Sequence, residues 1–197
     1  MTRKTPPTSE TLRHYFERAF EALSWKLDGL PEHELRRPLV PTGTNLLGIA
    51  KHVAIVSAEY CGPVLGRTTA VPIPPEDAEP NSDLRAREGE SAEYVRGLLT
   101  TAAAEVDAAL VELPLDAPAT VPWWAEHGET SFEVVAIHLL AEVHRHAGHA
   151  DLVRELIDGE AGLQPGVSNL PSERDGADAA WWAAYSERLQ EIADGFR

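Results

Sequence analysis

The chain has 197 residues, 43% hydrophobic and 25% charged, the make-up of a water-soluble globular protein with room for one sizeable core. Its formal charge of −15, from 32 acidic against 17 basic residues, argues against nucleic acid or anionic membrane as a partner, and no Lys/Arg-rich run offers a local exception. A single cysteine, Cys61, precludes an intramolecular disulfide; with no bilayer-length apolar run and no signal-like segment, the expected location is the cytoplasm.

Residues 1–8 read as a disordered leader. The spacing then predicts a helix over about 9–28, with Leu12, Tyr15, Phe16, Ala19, Leu23 and Leu27 at helical intervals and Gly29 and Pro31 as its stop. After a turn over 38–43, Thr44 is placed to cap a second helix, which carries Leu46, Leu47, Ile49, Ala50, Val53, Val56 and Tyr60 and ends near Gly62 and Pro63. His52 sits on the apolar flank of that helix, among Ile49, Ile55 and Val56. The proline-rich, acidic stretch 68–90 is long enough to be a lid, a binding loop or a mobile linker.

A third helix is expected over about 91–113. The loop after it holds Trp123 and Trp124, which either wall a pocket or pack onto the helices. Thr130 followed by Glu133 has the form of a capping box and starts a fourth helix, running to about Asp158 with Gly159 as its terminator. The Gly- and Pro-rich stretch 159–177 reads as a linker, and a last helix over about 178–194 docks through Trp181 and Trp182. No strand is expected beyond short loop fragments. The predicted architecture is all-α: a four-helix bundle over 9–160 with a long crossover, then a linker and short C-terminal helix over 161–197.

The fourth helix carries an anomaly. At about 100° per residue, His138, Glu142, His146 and His149 share an arc of roughly 80°, and His144 points away from it. Val135, Leu139, Val153 and Leu156 mark the same face as a core stripe. A bare carboxylate is costly in a core and calls for a charge partner or a metal. Glu142 and His146, four residues apart, can converge on one ion, and His52 from the second helix can supply a third donor. Two histidines and a carboxylate suit Zn²⁺ or Fe²⁺ and leave positions open for water or substrate. His138 and His149 could be alternative ligands, outer partners or substrate contacts, and Glu59 lies close to the His52 face. The competing readings are an ion pair within the core and, for His52 alone, an ordinary packed histidine. Cys61 is expected to be a buried, inert thiol.

The segments Trp25-Lys26-Leu27-Asp28-Gly29-Leu30, Leu46-Leu47-Gly48-Ile49-Ala50-Lys51-His52-Val53-Ala54 and Glu142 through Gly159 resemble the DinB-like superfamily, close to its DUF664 branch. That group includes mycothiol-dependent maleylpyruvate isomerase and bacillithiol transferases. The resemblance covers about residues 9–160. It implies a four-helix bundle with a metal triad, one histidine on the second helix and two ligands four residues apart on the fourth. These map onto His52, Glu142 and His146. Many members have His where this chain has Glu142; the mycothiol-dependent isomerase branch is similar in using Glu. The implied cofactors are a divalent metal (zinc foremost, nickel or iron as alternatives) and a low-molecular-weight thiol such as mycothiol. The implied activity is thiol-dependent S-transfer or isomerisation of a small-molecule substrate, with metal-activated-water hydrolysis as a variant. His149 is the expected proton-transfer or outer-shell residue, and a homodimer is the expected assembly. The rival readings are a non-catalytic metal- or small-molecule-binding bundle in stress response, and an interaction module.

Overall fold

A computed structural model of the protein describes residues 6–168 and 170–197; most of the leader expected over 1–8 therefore lies outside the described residues. The helices are α1 (Thr8–Trp25), α2 (Glu32–Arg36), α3 (Leu46–Cys61), α4 (Ala92–Glu112), α5 (Phe132–Asp158) and α6 (Ala179–Asp194). The fold is all-α apart from a two-stranded hairpin, β1 (Pro118–Thr120) with β2 (Glu129–Ser131). Helices α1 and α3 each pack against both α4 and α5, so the four long helices form a ring in which α3 and α5 are neighbours. Nearly every residue of α3 is buried, as expected of a helix apolar all round its circumference.

Several helix ends differ from expectation, each for a local reason. Asn45, not Thr44, caps α3: its side-chain oxygen accepts from the Gly48 N–H at 2.8 Å. The capping box at Thr130–Glu133 does not form, because Thr130 and Ser131 are drawn into β2 opposite Ala119 and Pro118. The first N–H groups of α5 bond instead to loop carbonyls, Phe132 to Ala117 at 2.8 Å and Glu133 to Leu115 at 2.7 Å. At the other end Gly159 terminates α5 as expected, in the left-handed conformation (φ 82°) that a side chain disfavours. The short helix α2 has no counterpart in the expected elements.

The end of α1 and the end of α5 are locked together by buried charge. Lys26, fully buried, reaches Asp151 at 2.8 Å, lies over the Trp25 ring at 3.9 Å and donates to the Gly162 carbonyl. Burial pushes its ammonium down in pKa, and the hydrogen bond it donates to Asp151 opposes that shift. Arg154, also buried, donates to the carbonyls of Lys26 (2.9 Å) and Asp28 (2.7 Å) and forms a bidentate pair with Asp158. No residue of α6 is fully buried; Trp181 and Trp182, the expected docking residues, are half-buried and pack on each other and on Tyr185, and Trp182 borders a cleft shared with Glu155 and Gly159 at the end of α5. Leu156, assigned to the core face, is 62% exposed.

Arg154→Ala strips two carbonyls and a partly buried carboxylate of their donor. It should lower unfolding free energy by about 3 kcal/mol in denaturant titration. Arg13→Ala, which removes an exposed pair with Asp107, should leave the midpoint near wild type.

Candidate metal and thiol site

The contact of α3 with α5 brings the predicted residues together. The His52 and His146 rings stand 4.5 Å apart, inclined at 64°. Glu142 Oε2 lies 3.5 Å from His146 Nε2. The side chains of His52, His146 and Glu142 retain 17%, 14% and 31% of their exposure, so all three are sheltered. They border a narrow crevice, too tight for a water molecule, walled by Val53, Val56, Ser57, Leu139 and Val143.

The remaining histidines separate cleanly. His149 is exposed, with its ring 5.2 Å from that of His146, at the outer edge of the site. His138 is not at the triad; it packs against Tyr60 (5.2 Å) and Trp124 (4.8 Å). Trp123 donates to the Tyr60 hydroxyl at 3.2 Å, so both tryptophans line the seam further along α3. His144 faces α1, and its pKa is lowered by burial and then by the charge of Arg18. Burial raises the pKa of Glu59, with the charge of Asp83 adding to the rise and His52 opposing it.

Sequence reasoning missed Asp83. Its Oδ2 lies 2.5 Å from His52 Nδ1, although it comes from the crossover 31 residues downstream. No periodicity marks it. A latent signal was the pair Gly48 and Lys51 beside His52 on α3: a space and a buried cation that invite a loop rich in carbonyls and carboxylates.

His146 is held neutral at pH 7. Burial, then the charges of His52 and His149, push its pKa down to about 4, against the pull of Glu142. Its Nδ1 is buried with no hydrogen-bond partner. Such an orphan costs about 1–3 kcal/mol, which a bound ion removes. Among the described residues, no three His, Cys, Asp or Glu side chains already close around one point. The donor chemistry and the orphaned nitrogen nevertheless fit a divalent cation. Cys61, 3% exposed and pushed up to about 12 by burial, is inert. A reacting thiol would therefore have to come from outside the chain.

The overall structure is similar to the crystal structure of a conserved protein from Enterococcus faecalis, with a TM-score of 0.63 and 13% identity over 79% of this chain and 100% of that one. At that identity the likeness is one of fold alone. No curated protein matches the sequence. The profile of the mycothiol S-transferase family matches residues 11–159, and the chain belongs to that family. The matched span contains His52, Asp83, Glu142, His146 and His149 and stops where α5 ends.

Two outcomes are expected. A folded state that keeps His146 neutral loses stability relative to an unfolded chain that protonates at ordinary histidine pKa. The loss runs from about pH 6.5 down to about 4. Metal-stripped wild type should lose on the order of 2 kcal/mol more across that window than His146→Gln, read by denaturant unfolding. Cys61 should ignore a disulfide reagent in the native protein and react within the mixing time after unfolding.

Proposed function

We propose that the protein is a metal-dependent mycothiol S-transferase whose chemistry lies in the bundle of residues 9–160, at the seam between α3 and α5. His52, Glu142 and His146 would hold a divalent metal, zinc foremost and nickel or iron as alternatives. The observation that carries the reading is the meeting of His52 with the Glu142–His146 pair inside the span matched by the family, with an orphaned imidazole nitrogen at the centre. A bound divalent ion supplies a Lewis acid that lowers the pKa of a thiol at neutral pH.

The chain's own groups do the rest. Neutral His146 offers a lone pair without first shedding a proton, and Glu142 brings the negative charge that balances a cation in an apolar seam. Val53, Val56, Leu139 and Val143 keep water from crowding the sulfur. Exposed His149 takes the proton released from the thiol sulfur and passes it to solvent. The sulfur then forms a bond to an electrophilic carbon of a small-molecule substrate, whose leaving group departs with the bonding electrons. The inert Cys61 supports an external thiol, and a reducing compartment, the cytoplasm, suits that chemistry. Among the described residues, no helix is long and apolar enough to cross a membrane.

Protein purified without a tag should carry about one divalent metal per chain and transfer mycothiol to a model electrophile. His52→Ala, Glu142→Ala and His146→Ala should each cost more than the ~10–100-fold typical of losing an outer partner. His149→Ala should cost about 100-fold in kcat and recover with added imidazole. Metal without thiol-dependent turnover would instead indicate a non-catalytic binding bundle, and water-dependent turnover a hydrolase using the same donors.

A further inference from the structure

The second half of the crossover is clamped. Lys51, buried on α3 directly before His52, donates to the carbonyls of Ser82 (3.2 Å) and Arg85 (2.9 Å) and pairs with Glu90 Oε2 at 2.8 Å. That carboxylate also accepts from the Arg87 N–H at 2.7 Å. From α2, Arg36 donates to the carbonyls of Ala86 and Arg87, each at 3.2 Å, and to that of Glu90. One turn before His52, Gly48 leaves room for the Leu84 carbonyl; a Cβ there would overlap its oxygen. Residues 48, 51 and 52 lie on one face of α3, and the strap they grip spans 82–90. Asp83 lies between the Ser82 and Arg85 carbonyls that Lys51 holds, and it meets His52 Nδ1.

We propose that the 82–90 segment is a fixed strap that sets the donor state of His52, with Asp83 as the orienting carboxylate and Lys51 and Gly48 as the positioning residues that keep Asp83 in place. An ionised carboxylate only accepts hydrogen bonds, so in the neutral ring the hydrogen sits on Nδ1 and the Nε2 lone pair is left for the site. Holding the Ser82 and Arg85 carbonyls and the Glu90 carboxylate with one ammonium fixes both flanks of Asp83. A swinging lid would leave the His52 tautomer free and its ring unanchored. Outer partners of this kind raise the basicity of a ligating histidine and fix its rotation.

The consequence for metal affinity rests on the proposed metal site; the tautomer does not. The test therefore has two readouts on Gly48→Ala, Asp83→Asn and the double variant. The first is long-range ¹H–¹⁵N NMR of the metal-free protein at pH 8. The second is Zn²⁺ affinity by competition with a chromophoric chelator. Gly48→Ala improves helix propensity, so it moves the strap without endangering α3. The wild type should show His52 with its hydrogen on Nδ1, and both single variants should shift the ring toward a tautomer mixture. Each should weaken Zn²⁺ about 10–100-fold, and the double variant should be no weaker than Asp83→Asn. Wild-type tautomer and affinity in Gly48→Ala, or losses that multiply in the double variant, would overturn the proposal. A wild type that shows the Nδ1 hydrogen and binds no Zn²⁺ would overturn the metal reading and leave the strap standing.

Discussion

Everything in this molecule turns on one contact, the His146 ring of α5 set against the His52 ring of α3 in an apolar seam. Neither nitrogen of His146 finds a hydrogen bond: Nδ1 has no partner, and Nε2 stands 3.5 Å from Glu142. A bundle that needed only stability would fill those positions with leucine. The seam instead keeps three donor side chains among valines and leucines and holds the central one neutral. That is a costly arrangement for a core and a suitable one for receiving a cation.

The rest of the fold divides its work around that contact. At one end, Trp25, Lys26 and Asp28 grip Asp151, Arg154 and Gly162, so α1 fixes the last turns of α5 and the start of the C-terminal segment. Beside the site, Lys51 and Gly48 grip the crossover and bring Asp83 to His52. The sequence segments that carry the family resemblance thus have separate duties. Residues 25–28 and 151–158 clamp two helices, residues 48–52 hold the strap and present His52, and Glu142 and His146 would complete the proposed donor set.

Much of this was legible from spacing alone, and the exceptions have physical causes. The i, i+4 relation of Glu142 and His146 survives folding because a helix preserves angular order whatever packs on it. The partnership with His52 depended on which helices are neighbours, a matter of topology that local periodicity does not encode; the apolar flank of its helix offered His52 as a candidate third donor, and the family resemblance mapped the same residue. Asp83 was invisible because its role is made by hydrogen bonds from Lys51 to backbone carbonyls, and a loop carbonyl has no side-chain signature. The failed capping box at Thr130 shows the same limit. A two-stranded hairpin, too short to alternate, draws Thr130 into a strand, and the loop carbonyls of Leu115 and Ala117 take the N–H groups of Glu133 and Phe132 at the start of α5. Leu156 misled because apolar periodicity marks where a partner would bury a face; α1 covers Val153 and Arg154 at that end of α5 but leaves the side that Leu156 faces open.

The central claim is that His52, Glu142 and His146 together receive one divalent ion and leave a position for an external sulfur. X-ray absorption at the metal edge of the Zn²⁺-loaded protein, before and after mycothiol, measures this directly. The account predicts a first shell of nitrogen and oxygen only, at about 2.0–2.1 Å, gaining a single sulfur near 2.3 Å when the thiol is added. An unchanged shell after thiol addition, a sulfur already present without it, or a first shell that Glu142→Gln and His52→Ala both leave intact would contradict it.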